Sequence, residues 1–160
     1  MKTKLKTVFL SITMLLCASG GYAQTANKRP IEVGGLTLGQ NYNESQVISI
    51  MGAPESYAHV VDIFDTHEFI YHENVFYIND GKFSGFSIIN KEYKLNKLVG
   101  VGDSADKIKL LKPFKVILKS ENEDTICHHV YITDNVDDDC PLSIYVEQGV
   151  ITKINYLCMD

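Results

Sequence analysis

One pattern of thirteen residues occurs twice in the chain and restricts what it can fold into. The first copy is Phe76-x-Ile78-x-x-Gly81-x-Phe83-x-x-Phe86-x-Ile88. The second is Ile144-x-Val146-x-x-Gly149-x-Ile151-x-x-Ile154-x-Tyr156, at a constant offset of 68. Alternating apolar residues that run into a glycine-bearing turn and out again describe a β-hairpin. Glycine supplies the positive φ that such a turn needs. In both copies the apolar spacing widens from two to three after the turn (Phe83 to Phe86, Ile151 to Ile154), which predicts a β-bulge in each returning strand. An irregularity shared at the same place argues for duplication more strongly than shared hydrophobicity does.

Each hairpin follows a similar lead-in. Gly35-Leu36-Thr37-Leu38-Gly39 is followed by Asn43, which can cap a helix. Gln46 sits three residues on for a capping box, Val47, Ile50 and Met51 lie along one face, and Gly52 with Pro54 ends the helix. In the second half Ser104 caps, Ile108 and Leu111 take the apolar places, and Pro113 ends the element. Strands at Tyr57 to Phe64 and His67 to Tyr71, separated by a turn at Asp65-Thr66, complete the first half. Lys115 to Lys119 and Thr125 to Thr133 complete the second. The expected fold is therefore α+β: two tandem repeats of a short helical segment followed by a four-stranded antiparallel meander, their sheets adjacent or continuous. The boundaries are a leader at 24–32, repeat 1 at 33–93 and repeat 2 at 94–160, with Asn90 to Lys97 as the connection.

The amino terminus carries Lys2, Lys4 and Lys6, then the apolar run Val8 to Ala18, then Gly21-Tyr22-Ala23. This is the form of a secretory signal peptide spanning 1–23, too short and wrongly flanked for a membrane span. Lipidation at Cys17 is the alternative, although Leu16 is bulky where a lipoprotein signal has a small residue. Export places the chain in the periplasm or outside the cell. The whole chain holds 15 basic and 20 acidic side chains; loss of the three leading lysines leaves 12 against 20, a net charge of −8. Nucleic acid and anionic lipid are poor partners for such a surface, whereas a basic protein surface is attracted to it. No later segment is apolar enough to span a bilayer, and the residues give no oligomeric state.

Candidate functional residues follow from strand parity. Tyr77 and Tyr145 hold equivalent positions in the two hairpins and point away from the apolar set, toward an open sheet face. Tyr71 and Tyr131 in the preceding strands are placed with them as a partner-binding patch, because tyrosine offers large contact area at low entropic cost. The alternative is that these rings only cover the sheet or fill a seam. Asp137 and Asp138, within the acidic loop Asp134 to Asp139, are candidate contacts for a basic partner; the loop lacks the glycine and closing glutamate of a calcium loop. Among the histidines His59, His67, His72, His128 and His129, neither His128-His129 nor His67 with His72 has a spacing that converges two ligands. They read as solvated strand residues, with no metal and no cofactor.

After export, Cys127, Cys140 and Cys158 remain in an oxidising compartment, enough for one disulfide and one further thiol. Cys127 and Cys140 bracket the acidic loop and are the nearest pair, so a bridge between them is expected, the alternative being three buried thiols. No Gly-x-Ser-x-Gly, phosphate loop or activated-cysteine context is present, and no enzyme is expected.

The Leu-Thr-Leu-Gly-Gln…Glu-Ser-Gln-Val-Ile-Ser-Ile-Met-Gly-Ala-Pro pattern of residues 36 to 54, with its later hairpin, resembles the β-lactamase inhibitory protein-like fold and the SmpA/OmlA small outer-membrane lipoproteins. The resemblance covers about Val33 to Tyr156. It implies a binding protein whose sheet face meets a partner, an inhibitor or immunity-type module or, alternatively, an envelope-assembly scaffold. Cys127 and Cys140 resemble the within-repeat disulfide of the tandem inhibitors. Two departures stand out: the second copy has Lys112-Pro113 in place of the full Gly-x-Pro stop, and the first copy has no cysteine.

Overall fold

A computed structural model describes residues 30–113, 115–120, 124–131 and 140–157. Its frame is one antiparallel sheet of eight strands. β1 (Glu32–Val33) and β2 (Leu36–Thr37) form a small ribbon, followed by helix α1 (Glu44–Met51). Then come β3 (Ser56–Val61), β4 (Asp65–Tyr71), β5 (Asn74–Asn79) and β6 (Lys82–Ile88). A second ribbon, β7 (Lys94–Leu95) with β8 (Val99–Gly100), leads to a 3₁₀ helix at Ala105–Leu111. The chain finishes with β9 (Lys115–Ser120), β10 (Thr125–Tyr131), β11 (Leu142–Glu147) and β12 (Val150–Leu157). The order across the large sheet is β3-β4-β5-β6-β12-β11-β10-β9.

This overturns the α+β expectation of two repeats, each a helical segment plus a four-stranded meander. The described chain is mostly β, 54% in strands against 13% helical, and it is built on one sheet. The cause is the pairing of β6 with β12, in register from Ile154↔Ile88 to Leu157↔Gly85, which fuses the two halves along their backbones. Gly85 permits that approach: a Cβ there would come within 2.6 Å of the Tyr156 carbonyl oxygen.

Local chemistry accounts for the elements. Asn43 Oδ1 accepts from the Gln46 backbone N–H and Gln46 Oε1 accepts from the Asn43 N–H, both at 2.9 Å, closing the capping box of α1. Val47 is buried and Ile48 and Met51 pack beside it, whereas Ile50, expected on that face, is exposed. The second helix is 3₁₀ because Ala105, Ile108 and Leu111 recur every three residues, the period that stacks them on one ridge. Both bulges occur: Ser84 is the extra residue between the pairs Tyr77↔Gly85 and Ile78↔Phe83, and Thr152 the extra one between Tyr145↔Lys153 and Val146↔Ile151. Asp80-Gly81 and Gln148-Gly149 turn the hairpins with positive φ at both residues.

Among the described residues the hydrophobic cluster lies on one face of the sheet. Phe69, Phe76, Phe83, Phe86, Ile144, Ile151 and Ile154, all fully buried, pack against Val33, Leu36, Val47, Leu95, Val99, Ile108 and Leu111 from the ribbons and helices. Glu32, expected in the leader, is part of β1, and its N–H donates to Asn96 Oδ1 at 2.7 Å, tying the start of the fold to its middle. Residues 1–29, with the expected signal and most of the leader, lie outside the described residues. Among the described residues no helix is long and apolar enough to cross a membrane.

Candidate functional site

The opposite face of the sheet is assembled by parity. Cross-strand partners share a face, so Glu68 on β4, Tyr77 on β5 and Gly85 on β6 stand in one row. Cys127 on β10, Tyr145 on β11 and Lys153 on β12 stand in another. Tyr77 and Tyr145 are half-buried and lie on this face. Tyr131 joins them, opposite Lys115. Tyr71 does not. It is 4% exposed, lies on the core face in step with Phe69, and donates its hydroxyl to the Gly52 carbonyl at 2.9 Å, where the helix ends. β4 starts at Asp65 and runs unbroken to Tyr71, and two residues on from buried Phe69 is again the buried side. Asp137 and Asp138 lie outside the described residues.

The two equivalent tyrosines have opposite electrostatic surroundings. Burial, and then the Glu68 carboxylate, push the Tyr77 phenol above its ordinary range. Lys153 Nζ sits 5.8 Å from the centroid of the Tyr145 ring, within reach of a cation–π attraction. Beside Tyr77 is a cavity of about 230 Å³ lined by Thr66, Glu68, Tyr77, Asn79, Ser84 and Leu157, with Gly85. Asn79 Oδ1 is buried with no hydrogen-bond partner. Glu68 forms no ion pair among the described residues, so its carboxylate stands on the cavity wall without a cationic partner.

The expected Cys127–Cys140 bridge does not form. Cys127 is a buried thiol on β10, flanked in register by Tyr145 and Lys119, while Cys140 is disulfide-bonded.

A second constellation lies on the edge hairpin β3–β4 and escaped the reading of the sequence. His59 and His67 are directly opposite one another, their rings stacked at 4.2 Å between centroids. Asp65, two residues before His67, shares their face. His59 Nε2 is 2.5 Å and His67 Nε2 3.5 Å from Asp65 Oδ1. The hydrogen bond to His59 is the chief reason that the Asp65 carboxyl is held below the usual range. The Tyr57 hydroxyl lies 2.5 Å from Nδ1 of His67. The usable signal was the Asp-x-His spacing; placing Asp65 in a turn concealed it, because the real turn is Asp62 to Phe64.

Comparison with protein-family models, with curated proteins and with solved structures finds no match.

Proposed function

We propose that this is an exported protein-binding module of the inhibitor or immunity type, which meets a partner with a basic surface through the face carrying Tyr77 and Tyr145. The observation that carries the reading is the cavity beside Tyr77, with the unpaired Glu68 carboxylate on its wall. Glu68 and Asn79 offer a carboxylate and an amide oxygen, and a lysine or arginine side chain supplies the donors they lack. The tyrosine rings supply apolar area around it, the pairing of aromatic anchor and polar group that dominates many interfaces. The acidic balance of the chain steers such a partner toward it. The resemblance to the β-lactamase inhibitory protein-like fold, in which a sheet face is the binding surface, supports the same reading.

Capture from envelope and secreted fractions tests it. A partner retained by the wild-type chain, released by rising salt, and lost in both Glu68→Gln and the Tyr77→Ala, Tyr145→Ala double variant is the expected result. Capture indifferent to all three changes would place binding elsewhere.

A further inference from the structure

His59, Asp65 and His67 converge three ligand atoms to within 4.8 Å of one another on an exposed edge hairpin. Around zinc, with bonds of about 2.0–2.2 Å, neighbouring tetrahedral ligands are about 3.3 Å apart. The 3.5 Å between His67 Nε2 and Asp65 Oδ1 already matches that spacing, and a rotation of the Asp65 side chain opens the shorter contact to His59. Ring orientation is set independently. With the Tyr57 oxygen accepting from Nδ1–H of His67, Nε2 presents its lone pair toward Asp65 and His59. A hydrogen-bonded outer partner that fixes the tautomer is what ligating histidines generally have, and a solvated histidine needs none. The side chains of His59 and Asp65 are 44% and 49% exposed, so an ion can enter and water or a partner's donor can fill the remaining position.

We propose that His59, Asp65 and His67 bind one divalent transition-metal ion, zinc or copper(II), through Nε2, a carboxylate oxygen and Nε2. Two imidazoles with one carboxylate suit these borderline cations, whereas magnesium and calcium take oxygen shells. The site lies on the hairpin that forms one edge of the sheet and does not depend on the partner-binding reading.

The test uses the full chain expressed without a histidine tag and stripped with chelator. Zinc is titrated against a chromophoric indicator, and copper(II) is followed by electron paramagnetic resonance. One zinc per chain is expected, with a copper spectrum coupled to two nitrogens. His59→Gln and His67→Gln should each weaken zinc binding at least tenfold and remove one nitrogen coupling, and Asp65→Asn should weaken it while leaving both. Tyr57→Phe should keep the stoichiometry and lose about tenfold in affinity, as outer-shell changes do. Circular dichroism reports whether each variant keeps its sheet, and His128→Gln, outside the cluster, should bind as wild type. Absence of saturable binding by the folded chain, or binding that survives the His59→Gln, His67→Gln double variant, would overturn the proposal.

Discussion

Ser87 Oγ lies 2.9 Å from Asn155 Oδ1 across the seam between β6 and β12. The two residues are 68 apart in sequence, so each is the same position of its own hairpin, and they face each other in register. A local twofold relation between the hairpins therefore passes through this pair. Matching side-chain bonds extend it: Ser84 Oγ donates to the Tyr77 carbonyl at 3.3 Å, and Thr152 Oγ1 donates to the Tyr145 carbonyl at 3.5 Å, closing the two bulges. The seam and the bulges together set where Tyr77 and Tyr145 stand.

The seam depends on Gly85. A methyl group there meets the Tyr156 carbonyl oxygen at 2.6 Å, a backbone atom that cannot move without parting the strands. Gly85→Ala is expected to cost about 1–3 kcal/mol, the range of an overpacked site. Urea denaturation should show a lower midpoint, and an unchanged midpoint would mean that the seam is looser than described.

The β4–β5 turn carries a residue at odds with its backbone. Glu73 has φ 68 and is exposed, a conformation that costs a side-chain-bearing residue roughly 1 kcal/mol. Glu73→Gly should raise the denaturation midpoint, since the hairpin turn then has the residue its dihedrals favour. A lower midpoint would contradict this.

Acid should loosen the start of the 3₁₀ helix. Asp103 accepts from Lys107 Nζ at 2.7 Å, from the Gly100 N–H at 3.0 Å and from Lys94 Nζ at 3.4 Å. The hydrogen bond from Lys107 is the leading reason that its carboxyl is held below the ordinary range. A carboxylate depressed in the folded state stabilises the fold above its unfolded pKa of about 3.9 and loses that contribution as pH falls through the folded value. Asp103→Asn should cost about 1 kcal/mol at pH 7, because both lysines are partly solvated. The difference from wild type should shrink below pH 4; a difference that grows on acidification would refute the assignment.

The sulfur chemistry can be read by peptide mapping. Cys140 is disulfide-bonded while Cys127 is a buried thiol. With Cys17 in the expected signal segment and Cys127 a thiol, Cys158 is the cysteine left to pair with Cys140. A Cys140–Cys158 peptide is expected under non-reducing conditions, with Cys127 alkylated only after unfolding. A Cys127–Cys140 peptide would reverse this.

What the sequence made legible was local. The hairpins, their glycine turns, both bulges and the capping box of α1 were readable because each depends on residues within about a dozen positions of one another. Whether the two sheets were adjacent or continuous stayed open, since the Ile88↔Ile154 pairing rests on backbone edges that no periodicity marks. Parity fixed Tyr77 and Tyr145, whose neighbours alternate cleanly, and failed for Tyr71. Tyr71 shares a strand and a parity with Phe69, but which face of that strand is buried is set by the pairing of Phe69 with Phe76; the strand boundary misplaced at Asp65 hid the approach of Asp65 to His59. The cavity beside Tyr77 joins residues of β4, β5, β6 and β12 and has no sequence signature.

Which face meets the partner is the central claim, and photocrosslinking in the producing cells tests it most directly. Benzoylphenylalanine is placed in turn at position 77, at position 145 and at position 50, where Ile50 on α1 is 46% exposed on the opposite layer. A shared protein adduct from positions 77 and 145, and none from position 50, is the expected result. An adduct from position 50 with none from the sheet face would contradict it.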